Sequence, residues 1–427
     1  MQNPYACRSV EHDVSRRHML QTLLGSTAAG SSGLLAPAFA KQVQARQKRV
    51  LFVWLDGAMS QLETWDPKPG TQFGGPFQSI QTALPGVQIG ELMPNMAARL
   101  DRFSIVRSMH TRFEDHSRAV KPIQRGDPKN RGVTYPFLGS AMAKLVGPGD
   151  SGLPPYIHIK PGSGGFDYKD AGFLGAEYGA LVLGDGKPPA NMALPKGITS
   201  EIDQERSRLR DQLNRGFSRR RVTELSDAYN YTYTVAKQLM KNAELFDASR
   251  LDPKDLKRYG GSEFGRHMLQ ARHLLEAGVM FVKVTMYRWD THGDNFNCHL
   301  DGVPKVDKAL AAMIDDLIDR GLYEDTLVVV LSEFGRTPKI NGRVGRDHWP
   351  ECWSIGIGGC GIKPGVVVGK TNDKGSFIVG DELDIGHLYH TIFQAVGINA
   401  EKTEYNNGGQ PLPIAHDDCS AINELLA

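Results

Sequence analysis

Three stretches of this chain set carboxylates and imidazoles side by side in patterns suited to holding a cation. The first is Asp56-Gly57-Ala58-Met59-Ser60, and the second is Trp289-Asp290-Thr291-His292-Gly293-Asp294. The third runs Ser332-Glu333-Phe334-Gly335-Arg336-Thr337-Pro338 and continues as Gly345-Arg346-Asp347-His348-Trp349-Pro350. Brought together, Asp56, Asp290, His292, Glu333, Asp347 and His348 would mix oxygen and nitrogen donors. That set suits a divalent metal, Zn or Mn, with Ca favoured as oxygens come to dominate. A fourth stretch, Glu114-Asp115-His116-Ser117-Arg118, puts an imidazole and a hydroxyl beside a guanidinium. Such a group suits attack on a tetrahedral anion: a base or metal activates the nucleophile, and arginine grips the anion's oxygens with forked N–H donors.

Each piece also has a purely structural reading. Asp56-Gly57 alone is a strand-to-turn dipeptide, Asp290 and Asp294 can cap turns, and Glu333 can pair with Arg336. Asp115 can cap a helix with a charged start. Arg346-Asp347-His348-Trp349 resists that treatment. Two ionisable residues beside a bulky aromatic, in a loop between glycines and prolines, make poor core and an unusual solvated surface.

The elements that must position these groups follow from hydrophobic pattern. Residues 49–55 (RVLFVWL) form a continuous apolar run stopped by Asp56-Gly57, the pattern of a strand buried on both faces of a parallel sheet. Further strands are predicted at 103–107, 156–160, 279–285, 326–331 and 353–358, and helices at 223–242, 262–277, 304–320 and 386–396. In the helix from Pro304, apolar Val306, Leu310, Met313, Ile314 and Leu317 recur at three and four residues, one buried face. Strand and helix alternating in this way imply crossover units and an α/β fold with a sheet covered on both sides. Ligands of such sheets sit beyond the carboxyl ends of the strands, and the three clusters follow three predicted strands. The stretch 161–216, rich in Gly, Pro and Asp, leads into the charged run 201–221 and reads as an insertion or lid over those ends.

The N-terminus reads as an export signal over residues 1–40. Arg16-Arg17 precedes an uncharged stretch rich in Gly, Ala, Ser and Thr, and Ala38-Phe39-Ala40 gives a small-x-small cleavage pattern. The apolar part is shorter than the roughly 20 residues a membrane span needs. The expectation is a twin-arginine substrate delivered folded to the periplasm or beyond, with the twin-arginine export machinery as a partner. No later segment is long and apolar enough to span a bilayer. With 50 basic and 48 acidic side chains, the charge is nearly balanced, and no basic stripe marks a nucleic-acid surface. Cys298, Cys352, Cys360 and Cys419 form no CxxC pair, which argues against a zinc–thiolate site. In an oxidising compartment they could form up to two bridges.

Asp-Pro-Lys-Pro at 66–69, Trp-Asp-Thr-His-Gly-Asp-Asn at 289–295, Ser-Glu-Phe-Gly-Arg-Thr-Pro at 332–338 and Gly-Arg-Asp-His-Trp-Pro at 345–350 together resemble one family. It is a large, mostly uncharacterised family of exported bacterial proteins with a domain of unknown function, placed among the sulfatase-like members of the alkaline phosphatase superfamily. The resemblance runs from Arg49 to about Pro413. It implies a three-layer α/β/α sandwich, alkaline phosphatase-like, with a mostly parallel central sheet and a metal-assisted ester site. Asp56 then takes the place of the first-strand Asp ligand, Asp290 and His292 resemble the Asp and His of one metal centre, and His348 its later His. Glu333 falls where the other centre has Asp. The nucleophile position falls near His116-Ser117-Arg118.

Two departures bear on this. Phe334 stands where the family pair has its second ligand, a His, so at most one metal centre is complete. The sulfatase Cys-x-Pro-x-Arg motif is absent, which leaves Ser117, Ser60 or a water on the metal as nucleophile. The expected function is hydrolysis of a sulfate or phosphate ester on a small molecule or polysaccharide. His116, Ser117 and Ser60 would be catalytic, with Arg118 and Arg336 binding the anion. A fold that has kept its shape as a binding or scaffold protein, or a phosphomutase-type transferase, are the alternatives.

Overall fold

Residues Arg49–Leu55 form strand β1, buried along its whole length as an unbroken apolar run requires. This computed structural model describes residues 48–427 apart from 127–130, 150, 163–170, 188–191 and 219–223. The expected export signal lies outside the described residues, as do parts of the 161–216 stretch. After β1 come β2 (Ser79–Gln81), β3 (Gln88–Gly90), β4 (Phe103–Met109), β5 (Tyr156–Lys160) and β6 (Leu181–Gly184). Then follow β7 (Phe281–Met286), β8 (Thr326–Leu331), β9 (Gly335–Ile340), β10 (Arg346–Trp349), β11 (Trp353–Gly359) and β12 (Val367–Val368). The helices are α1 (Pro94–Ala97), α2 (His116–Arg125), α3 (Leu138–Val146), α4 (Ser200–Ser218), α5 (Glu224–Lys241), α6 (Pro253–Arg258), α7 (Glu263–Glu276), α8 (Asn295–Asp319) and α9 (Ile385–Ala395).

Eight strands form the main sheet in the order β12-β4-β11-β8-β1-β7-β5-β6. β1 pairs in parallel with β7 and β8, and only β11 runs against its neighbours β4 and β8. Side chains alternate across β1. Leu51, Val53 and Leu55 enter one core with Met268 and Leu274 of α7 and Leu310 and Met313 of α8. Val50, Phe52 and Trp54 enter the other with Val120 of α2, Met142 of α3 and Leu388 and Ile392 of α9. The result is a mixed α/β fold, helices on both faces of a mostly parallel sheet, as expected.

Three features depart from the sequence reading. α8 begins at Asn295, nine residues before Pro304, which sits inside it. The missing proline N–H would have bonded the carbonyl of Leu300, a residue on the exposed side of the helix, where losing that bond costs least. The early turns of α8 are thereby kept, and they face the site. The stretch 161–216 contributes β6, a sheet strand paired in parallel with β5, and most of the charged run forms α4. The segments flanking Asn341 are not an irregular loop but the antiparallel hairpin β9–β10, with His348 opposite Arg336. Cys298, Cys352, Cys360 and Cys419 are all free thiols. Among the described residues no helix is long and apolar enough to cross a membrane.

Candidate metal centre

The parallel strands put their carboxyl ends at one edge. β1 delivers Asp56, β7 delivers Asp290 and His292, and β8 delivers Glu333. The loop after β4 leads to His116, the first residue of α2. Asp115 caps that helix, its side chain accepting from the Arg118 N–H at 3.1 Å, so the structural reading of that residue holds. The β9–β10 hairpin folds back over the edge and supplies Asp347 and His348.

Three imidazole Nε2 atoms surround one oxygen. Asp290 Oδ1 lies 3.2 Å from His116, 3.1 Å from His292 and 3.2 Å from His348, and the Nε2 atoms of His292 and His348 are 2.9 Å apart. Each ring is held by its other nitrogen. His116 Nδ1 is 2.6 Å from Glu333 Oε1, His292 Nδ1 is 2.7 Å from Asp347 Oδ1, and His348 Nδ1 meets the carbonyl of Glu114. Those acceptors suit an Nδ1–H on each ring and turn Nε2 inward, where it donates to Asp290 when the ring is protonated and offers a lone pair to a cation when it is neutral. A metal-binding histidine is held in this way. The triangle Asp290 Oδ1, His292 Nε2, His348 Nε2 has sides of 2.9–3.2 Å. Donors at about 2.0–2.1 Å from a tetrahedral zinc lie at about that spacing from one another. Glu333 is fully buried, and its Oε2 has no hydrogen-bond partner among the described residues. A carboxylate oxygen in that position calls for a cation beside it. The donor set fits a divalent ion.

Electrostatics agree with a cluster built to stay charged. Burial works against ionisation of Asp290, but hydrogen bonds from His116, His348 and Arg336 outweigh it and hold the carboxyl far below its ordinary range. Burial also opposes a charged His116, yet Asp290 and Glu333 lift that ring to about 9. Asp56 is pushed up to about 6, first by burial and then by the charge of Glu333. Its Oδ1 accepts from Trp54 Nε1 at 2.7 Å.

Several expected residues have other roles. Arg336 is wholly buried and is not an anion binder. Its Nε and Nη1 donate to the carbonyls of Ala58 and Arg346, and its Nη2 to Gly57 and, at 2.6 Å, to Asp290. It orients Asp290. Ser60 is also buried, its N–H donating to His299 Nε2 at 3.1 Å and its Oγ accepting from Leu62. Ser117 is exposed, and its hydroxyl donates to Asp115 rather than facing the cluster. Arg118 lies with its guanidinium 4.6 Å above the Phe113 ring. Asp56 lines the cleft with His116 and Asp290 and feels the charges of Glu333 and His116, and Asp347 orients His292. Phe334 packs against His116 and His348, ring centres 4.9 and 4.7 Å away, where it shields the buried side of the cluster.

Other residues escaped the sequence reading. Asn341 Nδ2 donates to the His292 carbonyl and to Asp347 Oδ1, both at 3.0 Å. Arg346 and Glu63 form a fully buried ion pair, Nη2 to Oε1 2.8 Å. Gly57 adopts φ +104°, and a Cβ there would lie 2.6 Å from the Asp290 nitrogen. Only the Asp-Gly dipeptide hinted at that close approach. Beside the cluster opens a cleft of about 910 Å³, whose lining includes Asp56, His116 and Asp290 together with Glu263 and His267.

A doubly covered, mostly parallel sheet with a histidine–carboxylate cluster at its carboxyl edge defines an α/β protein with a candidate metal site. The chain belongs to the family described as "Protein of unknown function (DUF1501)", which matches residues 47–426. No curated protein matches it. Among solved structures it is similar to a sulfatase from Pseudoalteromonas sp., at 13% identity over 91% of this chain and 75% of that one, TM-score 0.39. It is similar also to an alkaline phosphatase superfamily protein from Vibrio parahaemolyticus, at 14% identity over 89% and 77%, TM-score 0.37. A third is the phosphonate monoester hydrolase of Agrobacterium radiobacter, at 10% identity over 89% and 77%, TM-score 0.40.

Proposed function

We propose that this protein is an exported, metal-dependent hydrolase of phosphate or sulfate esters. The observation behind it is the convergence of three oriented imidazoles on Asp290. Asp290, His292 and His348 would hold the ion, three protein donors being the number that leaves a catalytic site open. A divalent ion there supplies Lewis-acid polarisation of the ester and charge stabilisation as the bond breaks. Asp347 and the Glu114 carbonyl orient the two histidines, and Arg336 fixes the carboxylate. His116 also lines the cleft. Held by buried Glu333, it is the group placed to carry a proton between cleft and cluster, as a carboxylate-oriented histidine does in acid–base catalysis. The choice of ester rests on the motif resemblance, and a cleft of about 910 Å³ gives room for a small molecule or the end of a polysaccharide. Export rests on the Arg16-Arg17 and Ala38-Phe39-Ala40 pattern.

Elemental analysis of wild type beside Asp290→Asn and His348→Ala, with nitrophenyl phosphate and sulfate as substrates, tests this reading. One metal per wild-type chain, lost in both variants together with turnover, is the expected result. Equal metal in all three proteins would sink it. The scaffold reading is favoured by one observation, that neither Ser60 nor Ser117 faces the cluster. It predicts no stoichiometric metal and no response to chelator.

A further inference from the structure

The arginines of the elements that build the cluster are committed. Arg336 spends its donors on Asp290 and on carbonyls, Arg346 is locked to Glu63, and Arg118 rests on Phe113. Arg288 differs. It is exposed, it lines the cleft together with His116 and Asp290, and it makes no hydrogen bond or ion pair with any described residue. Yet Glu263, Asp294 and Asp301 line the same cleft.

Its backbone is also unusual. Arg288 adopts φ +84°, a region that an L-residue enters only under constraint. The constraint is visible. Next along, Trp289 is buried to 1% exposure, its ring against His299 and in the space left by Gly302. The backbone of Trp289 and Asp290 presses onto Gly57. A glycine at 288 would relieve the strain, but the position holds arginine, two residues before the central carboxylate.

We propose that Arg288 receives the anionic group of the substrate, gripping phosphate or sulfate oxygens with forked N–H donors beside the Asp290-His292-His348 cluster. This rests on reading that cluster as a metal centre. Lys305 is taken by Asp301 at 2.6 Å, so Arg288 is the uncommitted side-chain cation among the described arginines and lysines lining the cleft. Of the other carboxylates lining the cleft, Asp301 is paired with Lys305 and Asp185 with Lys187, which leaves Glu263 and Asp294 to meet a second negative charge on the ligand. The substrate is therefore a single anionic group on an uncharged body.

Titration calorimetry of the metal-loaded full chain with inorganic phosphate and with inorganic pyrophosphate tests this, with metal content measured on the same samples. Arg288→Gly removes the guanidinium and suits the left-handed backbone. It should keep the metal and melt no lower than wild type, while phosphate affinity falls about 10–100-fold, the scale of charge-assisted contacts. Arg288→Lys should lie between, and pyrophosphate should bind wild type more weakly than phosphate does. Unchanged phosphate affinity in a metal-replete Arg288→Gly protein would overturn the assignment while leaving the metal centre standing. Pyrophosphate binding as tight as phosphate would overturn the single-anion reading of the cleft. A wild type that takes up no metal removes the centre itself, and this inference with it.

Discussion

His116 sits between two carboxylates, one ring nitrogen on buried Glu333 and the other facing Asp290. In the proposed division of labour it moves a proton and is not needed to hold the ion. His116→Asn should therefore keep the metal and lose turnover by about 10²–10⁴-fold, the usual worth of a positioned acid or base. Metal content and kcat measured on the same preparation check this, and loss of the metal would make His116 a ligand instead. At this scale the sequence singled out Asp290, His292 and His348, which the structure brings together, although spacing alone also allowed Asp290 to be a turn cap. It did not separate Arg336 from Arg118 or Ser60 from Ser117. Whether a guanidinium points into a cleft or into a nest of carbonyls depends on the turn two strands away, which local spacing does not encode.

The β9–β10 hairpin is the element on which the site geometry rests, since it carries Asp347 and His348 and has Arg346 as its anchor. Besides Glu63, that guanidinium meets the carbonyls of Phe73, Thr337 and Pro338. Breaking one side of a buried pair strands the other charge, so Arg346→Met should cost about 3–5 kcal/mol, read as a lower urea midpoint. Replacing both partners, Glu63→Leu with Arg346→Met, should recover much of it; a double variant as unstable as the single one would show that the carbonyl contacts dominate. Gly57→Ala should act locally, because its Cβ would push on the Asp290 backbone. It should lower metal affinity more than the exposed Gly260→Ala, also at positive φ, compared by competition with a chromogenic chelator. The parallel strands and α7 were legible because each is a long apolar pattern. The hairpin was not: its residues are polar, its strands are short, and a bulge between Arg346 and His348 breaks the alternation that reveals a strand. Pro304 misled for a similar reason: a proline reads as a helix start, and here it sits on an exposed turn within one.

Across the whole molecule, stability should respond separately to the ion and to acid. An ion at 100 times its Kd adds about 2.7 kcal/mol if only the folded chain binds it, so chelator should lower Tm reversibly at neutral pH. Acid acts elsewhere as well. Asp384 caps α9, accepting from the N–H groups of Gly386 at 2.8 Å and His387 at 3.3 Å, and Leu383 before it is tied to β4 through the Ser108 carbonyl. Burial opposes ionisation of Asp384, but the His387 ring, the Cys419 thiol and the backbone N–H outweigh it and hold the carboxyl well below its usual range. A carboxyl depressed in the folded state binds protons more readily once unfolded. Its contribution is thus complete above the ordinary carboxylate pKa near 3.9 and is lost as pH falls through the folded value. Asp384→Asn keeps a capping oxygen but removes the charge. In urea melts with chelator present, the gap between wild type and variant should be full at pH 7 and pH 5 and should narrow below about pH 4. Because α9 fills one face of the core beside β4 and β11, the lost stability should appear as a global shift in midpoint. A gap that stays constant down to pH 2 would mean the cap works through its hydrogen bonds alone.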